Sequence, residues 1–165
     1  MPSRQLIMLV MTATIATSLF AQSDSKFVKE ASEGGLAEVE LGRIAQQKGH
    51  SQSVRDFGTR MVADHSTAND ELKAIAAREG LSVATSVGVK DEAVKLKLDA
   101  LSGETFDKAY MSSMVKDHQE DIAAFQKEIG GGTNQAVKSF ASKTLPKLQE
   151  HLSRAVTTAA EVGAK

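Results

Sequence analysis

The chain has no cysteine and no tryptophan among its 165 residues. Without cysteine it can form no disulfide and offers no thiol for bacterial lipoprotein attachment. Aromatic residues are scarce, at 4%, and β-branched alternation is nearly absent, so strand signals are missing and an all-β fold is excluded. Neither sign of charge is gathered into a block, and the net charge is −1. That balance gives no electrostatic footprint for nucleic acid. No serine, threonine or cysteine stands beside a histidine in a nucleophile motif, and no glycine loop for phosphate precedes a helix.

The start of the chain has a different composition from the rest. Residues 1–5 carry one positive charge, Arg4, and Leu6 to Phe20 is apolar apart from scattered Thr and Ser. Ala21 and Ser23 offer small residues for cleavage before charge begins at Asp24. This is the order of a secretory signal peptide. The apolar run of about fifteen residues is short of the ~20 that a spanning helix needs. The expected organisation is a signal peptide over 1–21 and one domain over 22–165. The expected location is the periplasm or the exterior, with peripheral outer-membrane association open. No later apolar run reaches membrane length. Removal of 1–21 leaves 19 basic against 21 acidic residues, still without a patch.

What the mature chain does have is Ala, Leu, Lys, Glu and Gln in long stretches, which favour helix. Apolar spacing predicts four long helices, over 25–48, 54–79, 105–129 and 134–162. Ser53 with Asp56 reads as a capping box, Gly49 and Gly80 as stops, and Gly130 to Gly132 as a break. Pro146 falls inside the fourth helix, where it should kink the helix, on the side that faces solvent. The connection over 81–101 is much longer than a hairpin requires. Nine extended residues reach ~30 Å and a short helix over 90–101 adds ~18 Å, enough to return the chain to the far end of the bundle. The prediction is an all-α four-helix bundle with a long crossover between its second and third helices, which makes those two parallel.

Four ionisable residues lie on the apolar stripes, one per long helix. Glu38 sits among Gly34, Leu41 and Ala45; His65 among Met61, Ala68 and Leu72; His118 among Met114, Ile122 and Phe125. His151 lies about 60° off the centre of its helix, near Leu148 and Ala155. Glu40 points outward and His50 sits in a turn. A buried charge is costly unless paired or bound to metal. Two arrangements meet that requirement. Three imidazoles and a carboxylate make a four-ligand set for a transition metal such as zinc or copper. The same residues can instead form a hydrogen-bonded polar layer that specifies one packing. A carboxylate-bridged di-iron centre lacks its Glu-x-x-His pairs, because Val62, Val115 and Leu148 stand three residues before the histidines.

An internal echo marks two of these positions. Met61-Val62-Ala63-Asp64-His65 matches Met114-Val115-Lys116-Asp117-His118 in four of five places, 53 residues apart. Met four residues before His suits copper(I), while Met as flexible core filler is the plainer account.

Together with Ala37-Glu38-Val39-Glu40-Leu41, Phe106-Asp107-Lys108-Ala109-Tyr110 and Leu145-Pro146 followed by His151-Leu152, the motif around His65 resembles the bacterial domain of unknown function 4142. Members of that family are labelled exported or outer-membrane proteins. The resemblance spans nearly the whole mature chain. It implies a ferritin-like bundle and no established activity. Three roles therefore stay open: a metal-binding bundle, a metal-free interaction or stress module, and, third, an enzyme. Partner, substrate and oligomeric state are not written in the sequence.

If the leader is removed as its pattern implies, mass spectrometry of protein from the periplasm should find an N-terminus between Gln22 and Asp24. An intact Met1 in a cytoplasmic fraction would contradict that.

Overall fold

A computed structural model describes the backbone of residues 11–164 and the side chains of residues 23–164. Of the expected signal peptide, residues 1–10 lie outside the described backbone, while 11–21 and the expected cleavage point fall within the first helix, which begins ahead of the expected residue 25. Five helices follow one another: α1 (Met11–Lys48), α2 (Gln52–Glu79), α3 (Val89–Asp99), α4 (Gly103–Gly131) and α5 (Gln135–Glu161). The four long ones form the bundle and α3 is the short helix of the crossover. No strand occurs among the described residues, and no described helix is long and apolar enough to cross a membrane.

Helix ends follow from local chemistry. Ser51, two residues before the expected Ser53, caps α2 by accepting from the Val54 amide at 3.3 Å. The cap moves because Asp107 of α4 accepts the His50 and Ser51 amides, both at 2.8 Å, and so holds the turn at that point. Gly80 ends α2 in the left-handed conformation, φ 68°, where a side chain would be strained. Gly130 and Gly131 continue α4 rather than breaking it, and the chain leaves the helix at Gly132. Asn134 caps α5 through its side-chain oxygen. Pro146 lies on the exposed side of α5, which continues through it.

Cross-helix contacts give the topology. The turn between α1 and α2 meets the start of α4 through Asp107. The first half of α1 meets the turn between α4 and α5, where Asp24 accepts from Thr133 N, Thr133 Oγ1 and Asn134 N at 2.7–2.9 Å. Asn134 also donates to Glu79 at the end of α2. Helices α1 and α4 are therefore antiparallel, and α2 and α4 run parallel, as the long crossover requires. Glu71 pairs with Lys143 and Arg60 with Glu150, so α2 and α5 are antiparallel neighbours.

The crossover is tied down along its length. The Ser32 hydroxyl accepts the Ala84 amide at 2.8 Å. Lys95 pairs with Glu40 of α1, and Lys90 with Glu120 of α4. Lys48 donates to the Leu98 and Asp99 carbonyls, placing a cation at the negative end of α3.

Apolar packing falls into two clusters. One gathers Leu41, Val54, Phe57, Met61, Phe106, Tyr110, Met114 and Ala155. The other gathers Phe27, Leu72, Ile75, Phe125, Phe140 and Leu148. The backbones of α1 and α2 come close at Gly42 and Gly58. A Cβ on Gly42 would lie 2.8 Å from the Gly58 carbonyl, and one on Gly58 would lie 2.7 Å from the Gly42 carbonyl. Only glycine permits that spacing without moving backbone.

Buried Glu128 adjoins Asp24 at one end of the bundle. Burial, a hydrogen bond to Asp24 and the charge of Asp24 push its carboxyl up to about 7. Burial raises Asp24 too, but the bonds from Thr133 and Asn134 outweigh it and hold Asp24 below the usual carboxylate value. The folded protein thus keeps a proton on Glu128 that the unfolded chain releases above its ordinary value of 4.5. This stabilisation is complete below that value and is lost as pH rises through about 7. Glu128→Gln imitates the protonated form, since its amide can donate to Asp24. Its melting temperature should match wild type at acidic pH near the ordinary carboxylate value and exceed it at mildly alkaline pH. A difference that does not change with pH would rule out this protonation.

Candidate metal centre

The two apolar clusters are separated by a polar layer. Its members come from mid-helix positions: His65 of α2 lies between Met61 and Leu72, His118 of α4 between Met114 and Phe125, and His151 of α5 between Leu148 and Ala155. The parallel run of α2 and α4 explains the echo in sequence, because residues 53 apart on these helices stand at one height. Side chains from different helices therefore meet. Ring centroids are 5.8 Å apart for His65 and His118, 5.3 Å for His65 and His151, and 5.4 Å for His118 and His151. One nitrogen from each ring lies within 4.8 Å of the other two. Exposures of 6%, 0% and 1% put all three beyond bulk water.

The outer edges of two rings are held. His118 Nδ1 is 2.8 Å from the Met114 carbonyl, which can only accept, so Nδ1 carries the proton. His151 Nε2 is 2.8 Å from Asp64 Oδ2 and donates to that carboxylate. The remaining nitrogens, His118 Nε2 and His151 Nδ1, are then lone-pair acceptors. They are buried without a hydrogen-bond partner, and so is His65 Nε2. All three rings are pushed toward the neutral form. Burial lowers each one, and His65 is lowered further by its two histidine neighbours.

Glu38, placed by sequence in the same layer, is buried at 3%. Its Oε1 lies 3.5 Å from His118 Nδ1, the nitrogen already bonded to Met114, and its Oε2 has no partner. Glu38 is therefore beside the histidine group and outside the 4.8 Å set. Burial raises its carboxyl well above the usual range, and the negative Asp117 and Asp91 add to the shift. Among the expected companions, Met61 and Met114 belong to the apolar cluster on one side of the layer. His50 is exposed in its turn and Glu40 pairs with Lys95 of the crossover.

Sequence reasoning missed Asp64 and Asp121. Asp64 stands next to His65 in the chain but reaches a histidine on another helix. The only written signal was the Asp-His pair repeated in both halves of the echo. The second copy behaves differently, since Asp117 turns toward Lys90 at 3.6 Å. Asp121 is raised to about 7, first by burial, then by Glu38. It is one turn beyond His118 on α4, where a carboxylate looks like ordinary helix surface.

The model of a domain of unknown function, DUF4142, matches residues 10–158. The chain belongs to the DUF4142 family. Two solved structures share the fold of this DUF4142 chain. One, described as a candidate secreted protein DUF305 from Streptomyces coelicolor, is 17% identical with a TM-score of 0.74, covering 87% of this chain and 94% of that one. The other, a DUF305 fragment from Deinococcus radiodurans, is 14% identical with a TM-score of 0.72, covering 86% and 95%. At these identities they establish the shared helical fold and nothing more. Among curated proteins none matches.

The hydrogen bonds assign opposite tautomers to two of the rings. In metal-free DUF4142 protein at mildly alkaline pH, two-bond ¹⁵N–¹H correlation spectra should show His118 protonated at Nδ1 and His151 at Nε2. The same tautomer at both would contradict the arrangement.

Proposed function

We propose that this chain is an exported metal-binding bundle in which His65, His118 and His151 hold one transition-metal ion, zinc or copper, in the core. The observation that carries this reading is the set of three partnerless ring nitrogens on buried, neighbouring histidines. A hydrogen-bonded network needs donors facing acceptors. Here two of the three rings donate their N–H groups to Met114 and Asp64 and turn lone pairs inward. Those two lone pairs do not bond to each other, whereas a cation accepts both, together with the partnerless His65 nitrogen.

Geometry and surroundings agree. A ring bound at ~2.1 Å has its centre about 3.2 Å from the ion, so tetrahedral ligands place ring centres roughly 5 Å apart. The observed separations of 5.3–5.8 Å need only a small contraction. Histidine ligands usually donate their outer N–H to a carboxylate or a carbonyl, which fixes ring orientation. Asp64 and Met114 supply one of each. Three imidazoles leave a fourth position open for water or an exogenous donor. Glu38, behind His118, would polarise that ring and offset the ion's charge. Export follows from the leader pattern, and the secreted description of the Streptomyces coelicolor protein is in keeping with it.

The second reading, a metal-free polar layer, separates from the first by one comparison. Untagged protein should bind one zinc or copper ion per chain, and its melting temperature should rise on loading. At a free metal concentration 100 times the dissociation constant the gain is about 2.7 kcal/mol. His65→Ala should lose both the stoichiometric binding and the gain. If metal leaves the wild-type melt unchanged while His65→Ala destabilises metal-free protein by ~1–3 kcal/mol, the layer is structural and the metal reading is wrong.

A further inference from the structure

On the α1–α4 side, beneath the start of the crossover helix, lies a cleft of about 400 Å³. It is lined by seven carboxylates from three helices, among them Glu33 and Glu38 of α1, Asp91 of α3, and Asp117, Glu120 and Asp121 of α4. Lys90 is its one basic residue, and this lysine bonds Glu120 at 2.6 Å with Asp117 at 3.6 Å. An acidic cleft alone says little. Two further observations give this one a direction. First, Glu38 forms part of its wall although it is buried at 3%, and Glu38 Oε2 has no partner. Second, Asp121 lines both this cleft and a smaller cavity of about 20 Å³ whose wall includes His65. That volume matches the ~10–15 Å³ that one water-sized occupant needs. The series runs from solvent to carboxylates, then through Glu38 and Asp121 to an imidazole.

Building on the three-histidine reading, we propose that this acidic cleft is the entrance by which a divalent cation reaches the histidines, with Glu38 and Asp121 as its inner gate and Lys90 as the resident counter-ion that the cation displaces. The carboxylates are spread too widely to be a binding site in their own right. Among the described residues the histidines form the one group of three or more candidate ligands within 4.8 Å. Dispersed carboxylates on low-dielectric walls act instead by their summed field, which concentrates cations and speeds their arrival. A route needs that combination of attraction without chelation, since an ion held tightly at the mouth would not move on. The rival entrance is a larger groove of about 750 Å³ between α2 and α5, which reaches Asp64. Its charge is mixed, because Arg60 and Arg154 face Asp56, Asp64 and Glu161. It lacks the one-signed field that would draw a cation in.

The test is the rate at which full-length metal-free protein takes up zinc, followed by stopped flow against a chromophoric chelator, beside the equilibrium stoichiometry. The rim variant Glu33→Gln with Glu120→Gln should still bind one zinc but load about tenfold more slowly, within the range of electrostatic steering. Asp121→Asn should slow loading further, and Lys90→Gln should accelerate it. Wild-type loading should slow steeply with added salt, an arm that needs no variant to fold. A salt-insensitive rate, or rim and Asp121→Asn rates equal to wild type, overturns the entrance while one bound zinc leaves the three-histidine reading standing. Slowing by Asp56→Asn with Glu161→Gln in place of the rim pair moves the route to the other groove and also overturns it. Absence of both bound zinc and bound copper in wild type at equilibrium overturns both readings.

Discussion

Three buried imidazole nitrogens without a hydrogen-bond partner, one from each of three helices, are the constraint on which this bundle turns. Each unsatisfied buried polar atom costs about 1–3 kcal/mol. Three of them weigh heavily against the 5–15 kcal/mol by which a domain of this size is usually stable. Leucines of similar volume would remove that cost. The layer lies between two apolar clusters. The surroundings also spend effort on orienting the rings. Asp64 reaches across from α2 to α5, and Met114 holds its own helix's histidine by a carbonyl. Both contacts leave the opposite nitrogen of the ring as a lone-pair acceptor, the orientation that the proposed metal would use.

The crossover makes this convergence possible. In an up-down-up-down bundle α2 and α4 would be antiparallel, and the equivalent positions of the echo would meet only at mid-height. With α2 and α4 parallel, equivalent positions stay level along their whole length. The bundle fastens the arrangement at both ends by the same device. Asp107 of α4 takes two amides of the α1–α2 turn, and Asp24 of α1 takes amides of the α4–α5 turn. Each helix pair thus caps the other, and axial sliding that would misalign the histidines breaks charge-assisted hydrogen bonds.

Electrostatics then divides the molecule by side. On the α2–α5 face, acids and bases alternate: Glu71 with Lys143, Arg60 with Glu150, Lys147 near Asp64. On the α1–α4 face, carboxylates accumulate under the crossover with Lys90 as the one basic group of that cleft. Asp91, Asp117 and Asp121 are all raised above the usual carboxylate value, burial being the largest cause in each and neighbouring acids adding to it. Such crowding disfavours the charged form of each carboxylate.

Helix periodicity was legible because burying one face of a 3.6-residue repeat writes itself into every third or fourth residue. The four long helices, the length of the crossover and the inward phase of Glu38, His65, His118 and His151 could all be read that way. Pro146 on the exposed side of α5 could too. The cap of α2 at Ser51 rather than Ser53 could not, because Asp107 of a distant helix holds the turn. For the same reason Asp64 and Asp121 passed as surface acids. Phase about a helix axis tells how far inward a residue points. It does not tell which ring edge meets which neighbour on another helix. That is why Glu38 and the three histidines could be assigned to one layer from the chain alone, while tertiary packing decided that the imidazoles face each other and the carboxylate stands behind them.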